Sequence, residues 1–306
     1  MATTKVITDL TDLNQANSES GLRMPTGGAF SGTPAEGMMR NDNTQSSANS
    51  ASTMQHYNGT DWKNFVNFDS CTLNKCNYPT TGSALYQFDD TADSGCTPAY
   101  NGTFTNSSYV ASMTGFGKAA NFNGSNTSIN IGASNNFASN KLTISFWANP
   151  GTGNPNNYQL LFSNYIGGSV ADYDFIIDRQ SPNGSSAEKL EVGISGTGSA
   201  YLYILTDSAV FTPGTWKNYV IVFDTTESSN VDKIKIYVNG TLAARSDISS
   251  SGTVTGSLLD TSDDLLIGDW PHDTSHIYSG LMDQVRIFPS ALSQADVTKV
   301  AGEVGC

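Results

Sequence analysis

Gly214-Thr-Trp216-Lys-Asn-Tyr-Val-Ile-Val-Phe223-Asp, then Ile234-Lys-Ile-Tyr-Val-Asn239-Gly240-Thr, then Tyr278-Ser-Gly280-Leu-Met-Asp283-Gln-Val-Arg-Ile-Phe288 are the three runs that decide the fold. Apolar and polar side chains alternate along them with the two-residue period of a pleated strand that buries one face. Asn239-Gly240 lies just after the second run and tolerates the positive φ angles of a type I′ hairpin turn. Strands of this kind joined by tight turns predict a two-layer antiparallel β-sandwich.

The same texture extends back to Ala84. Further strands are expected at 84–88, 119–122, 128–131, 142–148, 159–163, 173–178, 190–194, 200–205 and 265–267, and Asn-Gly recurs at 101, 123 and 183 beside such runs. Many short strands separated by turn signals indicate a sandwich or barrel. Trp147 and Trp216, set in apolar runs, are assigned to the core. One helix is expected: Ser293-Gln-Ala-Asp296 reads as a capping box, Ala295, Val297 and Val300 supply its apolar stripe, and Gly302 stops it.

Residues 1–70 differ, being rich in Ser, Thr, Asn, Met and Gly. Their clearest signal is Tyr57-Asn58-Gly59-Thr60, a tight hairpin with Tyr57 and Thr60 flanking the turn. A hairpin with so little apolar content cannot stand alone and is expected to pack on a copy of itself or on a larger assembly. The domain reading is therefore an association module over 1–70, a linker over 71–81 and a sandwich over 82–306.

Composition narrows the function. Charged residues are 14% of the 306, and the net charge of -13 disfavours partners bound through phosphates, nucleic acid above all. No stretch approaches the ~20 apolar residues that span a bilayer, so membrane insertion is not expected. The opening Met-Ala-Thr-Thr-Lys-Val lacks an apolar signal core, which predicts a chain not exported by the usual route. Four cysteines, Cys71, Cys76, Cys96 and Cys306, allow three disulfide pairings, and four free thiols in a reducing cytosol are the other reading.

Leu85-Tyr-Gln-Phe88-Asp89, Gly115-Phe-Gly117-Lys118, Leu142-Thr-Ile-Ser145-Phe-Trp147, Gly214-Thr-Trp216, Tyr237-Val-Asn-Gly240, Ile267-Gly268 and Gly280-Leu-Met-Asp283-Gln-Val-Arg286 occur in an order that resembles the concanavalin A-like lectin/glucanase superfamily, in its laminin-G-like branch. The likeness covers about 82–304 and implies an all-β, antiparallel jelly-roll sandwich. It also implies proximity of the first and last strands, which would suit Cys96 with Cys306 and leave Cys71 with Cys76. Pro34-Ala-Glu-Gly37-Met38-Met-Arg40 followed by Tyr57-Asn58-Gly59-Thr-Asp-Trp62 is similar to a short module near the start of tailed-phage fibre and virion-surface proteins. Together these resemblances imply a virion-surface structural protein, assembled in the host cytoplasm. It would attach to other virion proteins through its N-terminal module, associate as a homo-oligomer with a trimer favoured, and meet host-surface glycans through the sandwich. A decoration protein without ligand, and a glycan-active hydrolase or its binding module, are the alternatives.

Catalytic motifs are missing. Glycanases of this fold carry Glu-x-Asp-x-x-Glu, and no such run occurs; Asp172, Asp174 and Asp178 share one face of a strand and read as solvated. His272 and His276 are four apart, but Pro271 argues for a loop rather than a zinc-binding helix. The family likeness implies a structural Ca²⁺ held by Asp283, with Asp89 and Asp90 as further ligands, and hard oxygen ligands suit that ion. Carbohydrate binding needs flat aromatic faces beside polar groups, which nominates Trp270, His272, His276 and Tyr278 in one loop and Tyr165 and Tyr173 in another.

Overall fold

The computed structural model describes residues 39–42, 53–57, 62–64, 78–80, 82–89, 100–106, 108–152, 157–164, 175–196, 199–259, 262–270 and 274–303. The chain divides into two compact units, Met1–Ser70 and Cys71–Cys306.

The first unit contains a three-stranded antiparallel sheet of β1 (Met39–Asp42), β2 (Thr53–Tyr57) and β3 (Trp62–Asn64), with β2 central. The expected hairpin is present with a different register. Tyr57 faces Trp62 rather than Thr60, so the connection is longer than a two-residue turn.

The second unit is built from β4 (Ala84–Tyr86), β5 (Thr103–Thr105), β6 (Ser108–Ala111), β7 (Lys118–Asn123), β8 (Ser128–Ala133), β9 (Lys141–Pro150), β10 (Gln159–Ser163), β11 (Phe175–Arg179), β12 (Leu190–Gly196), β13 (Ala200–Thr206), β14 (Lys217–Asp224), the helical turn α1 (Asn230–Lys233), β15 (Ile234–Val238), β16 (Thr241–Leu242), β17 (Arg245–Ser251), β18 (Asp264–Ile267), β19 (Ser279–Phe288) and the helix α2 (Gln294–Ala301). Sheet I runs β17-β13-β12-β11-β10-β18-β8-β5, and sheet II runs β16-β15-β14-β9-β19-β7-β6, with β4 also on β19.

The period-two pattern sets the layers. Phe175, Ile177, Val192, Ile194, Leu202 and Ile204 point from sheet I into the core, and Ile144, Phe146, Tyr219, Ile221 and Val285 meet them from sheet II. Phe146 and Phe162 lie 5.2 Å apart, and Phe175 and Phe223 5.0 Å, which ties the two layers together. At 239–240 the two-residue hairpin forms as expected, with Asn239 at φ 49° and Gly240 at 79° and Val238 opposite Thr241.

Trp147 does not join the interior. It alternates with Ile144, Phe146 and Ala148, faces outward on sheet II and rests 6.3 Å from Phe116. Trp216 precedes β14 and is half-buried. A second apolar cluster covers part of the same outer face, where α2 lays Val297 and Val300 on Val220, Val222, Tyr237, Phe288 and Leu292. Ser293 caps α2 by accepting from the Asp296 backbone N–H, while Ala295 points to solvent and Leu292 takes its place in the stripe.

Candidate functional site

The outer face of sheet I gathers the groups that could hold a ligand. On β13, Leu202 and Ile204 turn inward, so Tyr201 and Tyr203 turn outward, half-buried, with ring centroids 6.0 Å apart at 64°. Tyr203 is opposite Gly193 and Gly193 is opposite Ile176. A Cβ on Gly193 would meet the Tyr203 ring at 2.7 Å and Ile176 at 2.9 Å, so the glycine is what allows the tyrosine ring to lie across the sheet.

The neighbouring row is acidic. Asp178 on β11 is the direct cross-strand partner of Glu191 on β12. The Gln180 side-chain amide donates to both, at 2.8 Å to Asp178 Oδ1 and 3.2 Å to Glu191 Oε2. Asp178 is 1% exposed, against the solvated reading of the sequence, with Leu160 and Leu205, both buried, flanking the pair in register. Burial raises its carboxyl well above the usual range and Glu191 raises it further, while burial pushes Glu191 up to about 7. The adjacent Arg179 does not relieve this charge. It turns to the inner face, where Glu188 takes it bidentately at 2.7 and 2.6 Å and the Gly151 carbonyl accepts at 2.8 Å.

The Gln159–Arg179 pair ends this strand pairing, with Tyr158 just before β10 and Gln180 just after β11. Tyr158 belongs to an aromatic group with Trp270 and His276. His276 lies 4.1 Å from Tyr158 and 5.0 Å from Trp270, and all three are half-buried. Asn157 ties their two loops by donating to the Ser275 carbonyl at 3.2 Å.

The structure thus brings together Trp270 and His276 of the sequence-nominated residues and separates Tyr278 from them. Tyr278 is fully buried, 5.7 Å from Phe122, and cannot stack on a ligand. It immediately precedes β19, its N–H donates to the Gly268 carbonyl at 3.0 Å, and its ring packs in the core. Tyr165, Tyr173, His272, Asp90, Asp172, Asp174 and the four cysteines lie outside the described residues. Sequence reading did not single out Tyr158, Gln180, Glu191, Tyr201 or Tyr203. Only the Tyr-Leu-Tyr-Ile alternation of β13 carried a local signal; the rest depended on strand register.

The proposed calcium ligands occupy the other side of the molecule. A bulge in β19 between Asp283 and Arg286, with Gln284 at φ 49°, turns Asp283 and Gln284 away from the core. Asp283 is buried, accepts from the Gln284 backbone N–H and from the Ser112 hydroxyl, and is pushed up to about 8 by burial first. Asp89 also raises it, and Asp89 itself accepts from the Lys118 N–H at 2.7 Å. Arg286 does not neutralise Asp283, because Glu303 takes it at 2.7 and 2.5 Å. Among the described residues neither Asp283 nor Asp89 is paired with a cation, and no group of three acidic or imidazole ligands occurs there; carboxylate and hydroxyl oxygens are the donors a hard divalent ion would take. A cleft of about 660 Å³ at one end of sheet II is lined by Asn121, Asn149, Thr152 and Leu281 and offers amides without an exposed ring.

Two curved antiparallel sheets packed face to face, with a short helix after the last strand, define a jelly-roll sandwich. The profile described as the concanavalin A-like lectin/glucanases superfamily, of the third laminin-G type, matches residues 123–298, more than half of the chain, and this chain belongs to that family. Its fold is similar to domain 4 of AbnA, a GH43 extracellular arabinanase from Geobacillus stearothermophilus solved in complex with arabinotriose, at 22% identity and TM-score 0.52, covering 72% of this chain and 98% of that one. It is similar as well to the binding domain of Paraclostridial Mosquitocidal Protein 1, at 16% identity and TM-score 0.54, and to that of botulinum neurotoxin serotype G, at 14% and 0.51. In both cases the likeness covers 72% of this chain and 51% of the toxin domain, so it spans about half of each. No curated protein matches the sequence.

Proposed function

We propose that this chain is a structural protein of a bacteriophage virion surface, a fibre, appendage or decoration, whose sandwich recognises host-surface glycans on the outer face of sheet I. The observation that carries the glycan reading is the conjunction, on one face, of two outward tyrosines, a carboxyl pair bridged by an amide, and the Tyr158–Trp270–His276 group. Rings stack on the apolar faces of pyranose or furanose sugars, and carboxyl and amide groups take their hydroxyls. A domain of the same fold captured with arabinotriose supports the reading. The virion role rests on the sequence of the N-terminal module and on a surface poor in charge. In this reading that module attaches the chain to other virion proteins and associates it, with a trimer favoured.

Asp178 and Glu191 also invite a hydrolase reading, since retaining glycosidases use two carboxyl groups ~5 Å apart. A nucleophile must reach the anomeric carbon, and Asp178 at 1% exposure is too buried to do so. We therefore read the pair as binding rather than cleaving. Asp283 and Asp89, with Ser112 alongside, would hold a structural Ca²⁺ that neutralises their charge and fixes the β19 bulge.

A glycan array probed with the full chain tests the recognition. Binding that Tyr203→Ala and Trp270→Ala each weaken by about tenfold or more is expected, the loss typical of a stacking ring. No hit on any glycan would leave only the ligand-free decoration role, and mass spectrometry of purified particles that fails to find the chain would remove the virion role.

A further inference from the structure

The glycan reading of sheet I, on which this inference rests, leaves open what kind of glycan is taken. Asp178 and Glu191 stand directly across one strand pair, and a single amide group, that of Gln180, spans both. Two full charges on directly opposed side chains, one buried and one half-buried, repel, and the low-energy arrangement of such a pair keeps one proton on one of the two carboxyls. Among the described residues, the groups facing the pair do not supply a counter-charge. Leu160 of β10 and Leu205 of β13 flank it in register, being buried and apolar. Lys189, just before β12, bridges to neither carboxyl among the described residues, and Arg179 is held on the opposite face by Glu188. Tyr158, 4.1 Å from His276, lies just before β10 at the end where the Gln159–Arg179 pairing stops. Of the two carboxyls, only that of Glu191 is exposed enough for a ligand to touch, with Gln180 half-buried beside it.

We propose that Asp178, Gln180 and Glu191 form a proton-sharing unit that restricts this face to uncharged polyhydroxylated glycans and turns away glycans bearing carboxylate or sulfate. With the proton retained, Glu191 donates to one sugar hydroxyl while the Gln180 carbonyl oxygen accepts from another. An anionic sugar would bring a second negative charge against the one the pair keeps, within a chain already at -13. Asp178 is a positioning residue here: it does not meet the ligand, and it sets the protonation of Glu191. The upward displacement of both carboxyls agrees with this arrangement.

The test is an array of neutral pentose and hexose oligosaccharides beside sialylated, uronate-containing and sulfated ones, read with the full chain at about pH 6 and about pH 9. Neutral hits alone are expected, weakening by about tenfold or more at the higher pH as the shared proton leaves. Glu191→Gln, which cannot ionise, should remove that pH slope. Carboxyl NMR of the free protein reads the proton without any ligand: one of the two groups should stay protonated at about pH 6. An anionic glycan bound through Tyr203 would overturn the ligand class alone. A slope that persists in Glu191→Gln, or two ionised carboxyls at about pH 5, would overturn the proton-sharing unit. The absence of any glycan hit would instead sink the recognition reading itself, with the NMR titration still deciding the proton.

Discussion

At Gly193 the missing side chain is what shapes the outer face of sheet I beside Tyr203. An alanine there would place its Cβ 2.7 Å from the far edge of the Tyr203 ring, which can swing aside, and 2.9 Å from Ile176, which is held in the sheet. Gly193→Ala should therefore tilt Tyr203 off the sheet, costing about 1 kcal/mol of stability as an overpacked site does. Calorimetric titration with a neutral oligosaccharide should show a clear loss of affinity, and an unchanged affinity would mean that the flat ring is not part of the site. Arg286 gives a prediction of another kind. Its guanidinium and the Glu303 carboxylate are both buried and meet through two hydrogen bonds. Arg286→Ala strands Glu303 as an uncompensated buried charge and should cost about 3–5 kcal/mol, read by urea unfolding. Neither site was legible beforehand. Gly193 lies in an unremarkable strand, and Glu303 is 17 residues from its partner.

Among the elements, α2 was the most legible. Its capping box, its stop at Gly302 and two of its three apolar positions were read correctly, because helix ends depend on contacts within one turn. Ser293→Ala should remove the acceptor for the Asp296 N–H and cost about 1 kcal/mol, visible as a lowered melting temperature. The Asn239-Gly240 hairpin was legible for the same local reason. Tyr57-Asn58-Gly59-Thr60 has the same signature and pairs differently, Tyr57 against Trp62, because the register of a hairpin is also set by which residues of its arms prefer to face each other. The bulge in β19 had no sequence signal at all. It requires a partner strand, and only the pairing of Asp283 with Trp147 and of Arg286 with Ser145 reveals the extra residue.

At the scale of the whole molecule, several buried acids act in one direction. Asp283, raised to about 8, and Glu191, raised to about 7, hold protons in the folded chain that the unfolded chain releases near pH 4. The folded state thus binds more protons across that window, and stability should fall as pH rises from about 4 to about 8. Calcium should oppose the trend, since an ion at Asp283 and Asp89 replaces the proton. Thermal melts are expected to show a Ca²⁺-dependent rise in Tm that is larger near pH 8 than near pH 5 and is reversed by chelation. The same melts on Asp283→Asn should show no Ca²⁺ response, and a response that survives the substitution would place the ion elsewhere.

The sequence by itself determined the layered all-β architecture, the capped terminal helix and the family, because alternation, turn chemistry and capping act over a few residues and survive being read in one dimension. It also determined that Trp270 and His276 share a loop. The tertiary structure alone decided that Tyr278 is core, that Tyr158 completes the aromatic group, and that Asp178 meets Glu191 under one amide. Those outcomes depend on how loops meet the strands and on strand register, and a shift of one residue in β11 or β12 would send Asp178 or Glu191 to the other side of the sheet.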